Sequence, residues 1–229
     1  MKQFYRATNG PERELEDSVV KKAPALFSPS KYEQWMGGSL PVGAGLPDIL
    51  IAAWRPEVIA LSGADKLATS VIAYLRGVSF ASPDTIAFRL RQPTRKLEKC
   101  AEHLWDAGII TSYGSKCALT DAWRSILPDV VAVEVKVKNW RSAIAQASRN
   151  SIFAHRSYVA MPARVAAKLK FDETVIGRGL GIISISGDEV EIVKRPKRLS
   201  PKVWQYYYSV ATIIASDIAK HQDGLRYKN

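Results

Sequence analysis

From Val130 to Lys138 apolar and charged residues alternate, with Val131, Val133, Val135 and Val137 on one side of an extended chain and Glu134, Lys136 and Lys138 on the other. The pattern predicts a strand, VVAVEVKV, with one core face and one charged face. Glu134 and Lys136 would stand about 6.5 Å apart along it, at about 3.3 Å per residue. A solvent-facing strand with a surface ion pair has the same pattern, and such pairs contribute little to stability. Downstream, NWRSAIAQASRNSIFA reads as a helix with Asn139 as its cap and Trp140, Ala143, Ile144 and Ala147 on one face. RSYVAMP reads as a strand, ARVAAKLK as a helix and GLGIISIS as a strand, with EVEIVKRP pairing across a Gly187-Asp188 turn. WQYYYSVATIIASDIAK is an apolar helix whose aromatics belong to a core. Strands alternating with helices predict an α/β chain with a mixed sheet covered on both faces.

Upstream, PERELEDSVVKKAPALF has Pro at its start, acids in its first turn and basic residues later, which fits a helix of about three turns. The Gly- and Pro-rich loop GGSLPVGAGLP then delivers the chain into a short buried strand, DILIAAW. From residue 63 to 121 the texture differs. ADKLATSVIAYLRG is a helix, SPDTIAFRLR a second with Ser82 as cap and Pro83 at its first position, and PTRKLEKCAEHLWDAG a third. Leu97, Cys100, Ala101 and Leu104 form its apolar face, Gly108 stops it, and IITSYG and KCALT follow as a hairpin around Gly114. This order resembles a winged helix-turn-helix. The resemblance implies that the third helix enters a DNA groove, so that Arg95, Lys96 and Lys99, with Arg89 and Arg91 upstream, would be the DNA-binding residues. Glu102 and Asp106 share the outward face and repel phosphate, which leaves a protein-docking role open.

Charge adds to this picture. The 229 residues carry 33 Lys and Arg against 22 Asp and Glu, a net charge of +11, which suggests a polyanionic partner. The excess is uneven: residues 1–62 are balanced at seven and seven, 63–121 carry eight basic and six acidic, and 122–229 carry eighteen and nine. The run KRPKRLSPK, Lys194 to Lys202, is either a solvated loop or a phosphate contact. Cys100 and Cys117 have no metal-ligand spacing, so buried thiols are expected. No apolar stretch has the length of a membrane helix, and the N-terminus has no apolar signal region, so a cytoplasmic protein without a membrane partner is expected.

Glu134-Val135-Lys136 on a strand, followed by a helix and a strand, together with Pro47-Asp48 opening an earlier strand, resembles the PD-(D/E)xK nuclease superfamily. The resemblance implies a restriction-endonuclease-like mixed sheet flanked by helices. Its core would span 1–62 and 122–229, interrupted by the winged-helix domain at 63–121. It implies a Mg2+-dependent DNA endonuclease, with Mn2+ able to substitute, in which Asp48, Glu134 and the Val135 carbonyl bind metal and Asp48, Glu134, Lys136 and Gln146 are catalytic. Gln146 stands ten residues after Lys136, where several branches of the family place a glutamine. Asn150 occupies the position where one branch has tyrosine, so that branch is not matched. Chemistry agrees with the assignment: Mg2+ takes hard oxygen ligands and keeps several waters, so one or two carboxylates and a carbonyl suffice. Lys136 would orient or help deprotonate the attacking water.

Pro128-Asp129 is nearer in sequence, but its odd offset from Glu134 puts it on the opposite face and about 16 Å away along a regular strand. Asp48 is therefore preferred. Glu12 or Glu16 of the first helix would add an acid, and His155, at a helix-to-strand junction, reads as structural. The expected partner is double-stranded DNA, and a homodimer cutting both strands is compatible with the sequence. The rival readings are a non-catalytic DNA-binding regulator and an interaction subunit, each built on a nuclease-like scaffold.

Overall fold

The structure is a computed structural model and describes residues 10–27, 31–39, 42 and 45–226. The chain forms two compact units. The first comprises Met1–Trp54 and Pro128–Lys202, the second Arg55–Leu127 and Val203–Asn229.

In the first unit, α1 (Pro11–Leu26) begins on Pro11 and continues through Pro24, so it is longer than three turns. Strands β1 (Glu33–Gly37) and β2 (Ile49–Trp54) follow. β1 was not foreseen. The second unit intervenes with a 3-10 turn (Pro56–Leu61), α2 (Lys66–Gly77), α3 (Pro83–Leu90), α4 (Thr94–Asp106), the hairpin β3 (Ile110–Tyr113) and β4 (Lys116–Leu119), and α5 (Asp121–Arg124). The first unit resumes with β5 (Asp129–Val135), α6 (Trp140–Asn150), β6 (Arg156–Pro162), α7 (Ala163–Leu169), α8 (Glu173–Gly177), β7 (Gly181–Ser186) and β8 (Glu189–Lys194), and α9 (Trp204–Arg226) closes the chain in the second unit.

The fold is mixed α/β, with a six-stranded sheet in the order β1-β2-β5-β6-β7-β8. The pairs β1–β2, β2–β5 and β7–β8 are antiparallel, and β5–β6 and β6–β7 are parallel. The β7–β8 turn is the expected one, with Gly187 at φ 58° in the left-handed region that hairpin turns require. Helices cover both faces. Val19, Val20 and Ala23 of α1 pack on Ile49, Ile51, Val131, Val133 and Val135, while Ala143, Ile144 and Ala147 of α6 and Ala166 and Leu169 of α7 join Val159, Met161 and Ile182. The odd-numbered valines of β5 therefore face α1, and Glu134 faces the α6 side. β5 is buried along nearly its whole length, and its charged side is not a solvent face.

Local chemistry accounts for the helix starts. The Asn139 side chain accepts from Ser142 N–H at 3.3 Å, Ser82 Oγ from Thr85 N–H at 3.2 Å, and the Asp65 carboxylate from Ala68 N–H at 2.8 Å. Each cap sits where its residue type predicts a helix start.

In the second unit the three helices and hairpin form in the expected order, and Ala81 bridges Cys117 as a short third edge. The grouping of chain segments differs from expectation. α9 packs on the 3-10 turn and α2, so it belongs with the second unit and not with the six-stranded sheet, and the boundaries fall at Trp54 and Leu127. Buried tyrosines explain this. Tyr207 OH donates to Leu127 O at 2.9 Å and accepts from Leu127 N–H at 2.8 Å, and Tyr208 OH donates to Trp123 O at 2.7 Å. Among the described residues no helix is long and apolar enough to cross a membrane.

Replacing Tyr207 with Phe strands both backbone groups of the fully buried Leu127, which costs about 2–4 kcal/mol. The urea midpoint of the second unit should fall accordingly; an unchanged midpoint would show that the pair contributes nothing to docking α9.

Candidate active site

At the carboxyl end of β5 a cavity of about 210 Å3 is lined by Gly45, Leu46, Asp48, Glu134, Lys136, Gln146, Arg149 and Asn150. All these residues belong to the first unit. The β2–β5 ladder ends at the Ile49–Val133 pair, and one step further the Asp48 carboxylate takes over the role of a strand by accepting Val135 N–H at 2.8 Å. That bond brings the Pro-Asp of one strand to the Glu-x-Lys of its neighbour. Asp129 lies at the other end of β5, where it pairs with Arg156 and with Arg198 at 3.9 Å. The preference for Asp48 over Asp129 matches the geometry.

Glu134 is only 2 % exposed. Its Oε1 accepts from Asn150 Nδ2 at 2.6 Å. Burial raises its pKa to about 8, with Asp48 adding to the rise and Asn150 and Lys136 opposing it. Lys136 follows the last residue of β5, and its N–H still donates to Ala160 O at 3.1 Å. Its ammonium lies 3.5 Å from Asp48 Oδ2 and 3.3 Å from Glu12 Oε2, and donates to Val135 O at 3.0 Å. Burial alone would lower its pKa, but the charges of Asp48, Glu12 and Glu134 outweigh it and the net shift is upward. Lys136 is therefore an ammonium at neutral pH, placed to donate and not to accept a proton.

Of the two candidate acids of α1, Glu12 is the partner of Lys136. Glu16 is drawn up to about 6, first by burial and then by the charge of Asp48, against the pull of Arg13 and Lys136. Both belong to the same electrostatic neighbourhood. Gln146 lines the cavity as expected, and the Val135 carbonyl, expected as a metal ligand, accepts a hydrogen bond from the Lys136 ammonium. The sequence reading missed Asn150 and Arg149. Asn150 stands one helical turn after Gln146, and that i, i+4 spacing was the available signal.

Among the described residues, three buried oxygens of side chains that line this cavity have no hydrogen-bond partner: Glu134 Oε2, Gln146 Oε1 and Asn150 Oδ1. Among the described residues no group of three or more His, Cys, Asp and Glu converges, so a cation here would depend on two carboxylates and neutral oxygens. That donor set is all hard oxygen, and it fits Mg2+ or Mn2+.

His155 serves the sheet. Its Nδ1 accepts Val130 N–H at 3.0 Å, and burial, followed by the charges of Arg198 and Arg156, lowers its pKa to about 4. The basic run Lys194–Lys202 is strapped down along its backbone: Lys197 N–H donates to Gly179 O, Leu199 N–H to His155 O and Lys202 N–H to Ile152 O. The side chains of Arg195, Lys197 and Lys202 remain exposed, while Arg198 donates to Pro128 O at 2.6 Å.

In the second unit Arg89, Arg91, Arg95, Lys96 and Lys99 are all exposed, and so is Phe88. Lys96 and Lys99 join His103 on one side of α4, over a cavity of about 490 Å3 with Leu104 and Ile109 in its lining. Glu98 and Glu102 stand with Trp105 beside a second depression of about 250 Å3. The two depressions thus draw on different residues of α4, one basic and one acidic.

Comparison with protein-family models, with curated proteins and with solved structures found no match.

His155 sets a pH dependence. The unfolded imidazole takes a proton below about 6.5, while the folded one resists until about 4, so stability is full above the first value and lost as pH falls through the second. The loss amounts to about 3 kcal/mol at most. Urea melts of native protein and His155→Gln between pH 7 and 4 should show a steeper decline in the native chain; parallel curves would exclude His155 as the source.

Proposed function

We propose that the protein is a metal-dependent DNA endonuclease hydrolysing phosphodiester bonds at the cavity of Asp48, Glu134 and Lys136, with the second unit assisting duplex binding. The observation that carries this reading is that two acids and an ammonium from separate chain segments line one polar cavity, beside buried oxygens without partners among the described residues. The element order supports a restriction-endonuclease-like core: Pro47-Asp48 enters a strand antiparallel to the one that ends in Glu134-Val135, with Lys136 next, and a helix and a parallel strand follow.

Asp48 and Glu134 would hold the cation, which when bound neutralises charge building on the phosphate and lowers the pKa of an attacking water. Lys136 keeps its proton among three acids and offers N–H donors and positive charge to the phosphoryl oxygens or the water. Glu12 fixes that ammonium from the side of α1. Exposed basic side chains on the strapped run and on α4 supply salt-sensitive affinity for the backbone of the duplex.

Supercoiled, linear and branched DNA should be cut in Mg2+ or Mn2+, and Lys136→Ala and Asp48→Asn should each lower the rate on the order of a hundredfold with native circular dichroism. If no substrate is cut while DNA still binds in a salt-dependent way, the protein is the non-catalytic regulator. The second unit has its own test. Arg95→Ala with Lys99→Ala should weaken duplex binding and reduce the slope of log affinity against log salt by about two. An unchanged slope would assign α4 to protein docking.

A further inference from the structure

The surplus of oxygen acceptors at the cavity sits on α6. Gln146 and Asn150 lie one turn apart on that helix, and each presents a buried amide oxygen without a partner. Asn150 is 1 % exposed, and its amide orientation is fixed, since Nδ2 is committed to Glu134 Oε1 and Oδ1 is therefore the free end. The remaining oxygen of Glu134 is buried on the side of Asp48, whose charge and hydrogen-bonding contact both favour the neutral acid. Gly45, on the same cavity, has no side chain at the one place where a Cβ would stand 2.7 Å from Asn150 Oδ1. A buried oxygen left bare costs free energy, and here, among the described residues, two amide oxygens one helical turn apart are bare on side chains that line one cavity. Meanwhile the Val135 carbonyl is capped by the Lys136 ammonium.

We infer that Gln146 Oε1 and Asn150 Oδ1 are ligands of the divalent cation, completing with Asp48 and Glu134 an all-oxygen set in which two α6 amides take the place of the Val135 carbonyl. The inference rests on the nuclease reading for the identity of the cation class, but it concerns binding and is tested without cleavage. Asn150 then has two functions: its N–H holds Glu134, and its carbonyl faces the cation. Gly45 is the residue whose missing side chain leaves this carbonyl uncrowded.

The test is Mn2+ binding to the full-length protein, followed by electron paramagnetic resonance of the free ion, with Mg2+ as competitor. Gln146→Leu should weaken Mn2+ binding on the order of tenfold or more, and Gly45→Ala should weaken it as well. Asn150→Asp keeps an oxygen and adds charge, so it should bind Mn2+ more tightly than the native chain even though the amide donor to Glu134 is lost. Circular dichroism and a thermal melt on each variant exclude misfolding as the cause. Native Mn2+ affinity in Gln146→Leu and in Asn150→Asp, with binding abolished in Asp48→Asn, overturns the inference and leaves the nuclease reading standing. No Mn2+ binding by the native protein, alone or with an uncleavable duplex, overturns both.

Discussion

A carboxyl group enclosed between a strand and a helix, with a second carboxylate beside it, is the constraint on which the first unit depends. Leaving Glu134 ionised and alone in that position would be expensive, because a buried charge must be paired or neutralised. Three features of the fold reduce the cost. α6 docks so that Asn150 donates to one oxygen, Lys136 bends back from the end of β5 to lie near the acids, and the Val135 N–H occupies Asp48. Each fixes a different element. The Asn150 bond sets the register of α6 against β5, the Asp48 bond sets where β2 stops, and the Glu12–Lys136 pair ties in the first turn of α1.

The central part of this arrangement was legible because it is local. Alternation along VVAVEVKV separates the valines that meet α1 from Glu134, and caps such as Asn139 and Ser82 mark their helices whatever surrounds them. Solvent exposure was not legible in the same way. Periodicity gives a face of a strand but not what lies over it, and the side that looked wet is covered by α6. Asn150 illustrates the same limit. Near the end of a helix, a polar residue reads as surface until the helix is docked, and only the docked helix shows it to be the partner of Glu134. EQWMG lacks alternation and became β1 through pairing with Leu50–Trp54, a tertiary cause. The last helix was predicted correctly as apolar and aromatic, but an apolar face carries no address. Two hydrogen bonds between Tyr207 and Leu127, far away in sequence, supply it.

The interruption of the sheet is physically inexpensive for a related reason. The chain leaves the first unit after Trp54 and re-enters it at Pro128, and the antiparallel register pairs Ala53 with Asp129. Both ends of the excursion are thus held together by the ladder itself. Loop-closure entropy rises only as the logarithm of length, so a long excursion costs little more than a moderate one, provided the excursion has a core of its own. The second unit has one, built on Val71, Ile72, Leu75, Ile86, Leu97 and Leu104.

Burial first, and then the charge of Asp48, displaces the Glu134 pKa upward, and the same cavity is rich in oxygen acceptors. Asp48, Glu134, Gln146 and Asn150 place several oxygens around a small volume, while the two cations of the lining are Lys136, directed at Asp48, Glu12 and a backbone carbonyl, and Arg149, which is exposed. Negative potential accumulates wherever acceptors outnumber donors, and it selects a positive species to balance it. A proton on Glu134 meets that demand in part, since it neutralises one carboxyl but adds no contact to the amide oxygens of α6. Water can satisfy the amides but leaves the charge. A divalent cation satisfies both at once, because it combines two positive charges with a need for several oxygen ligands.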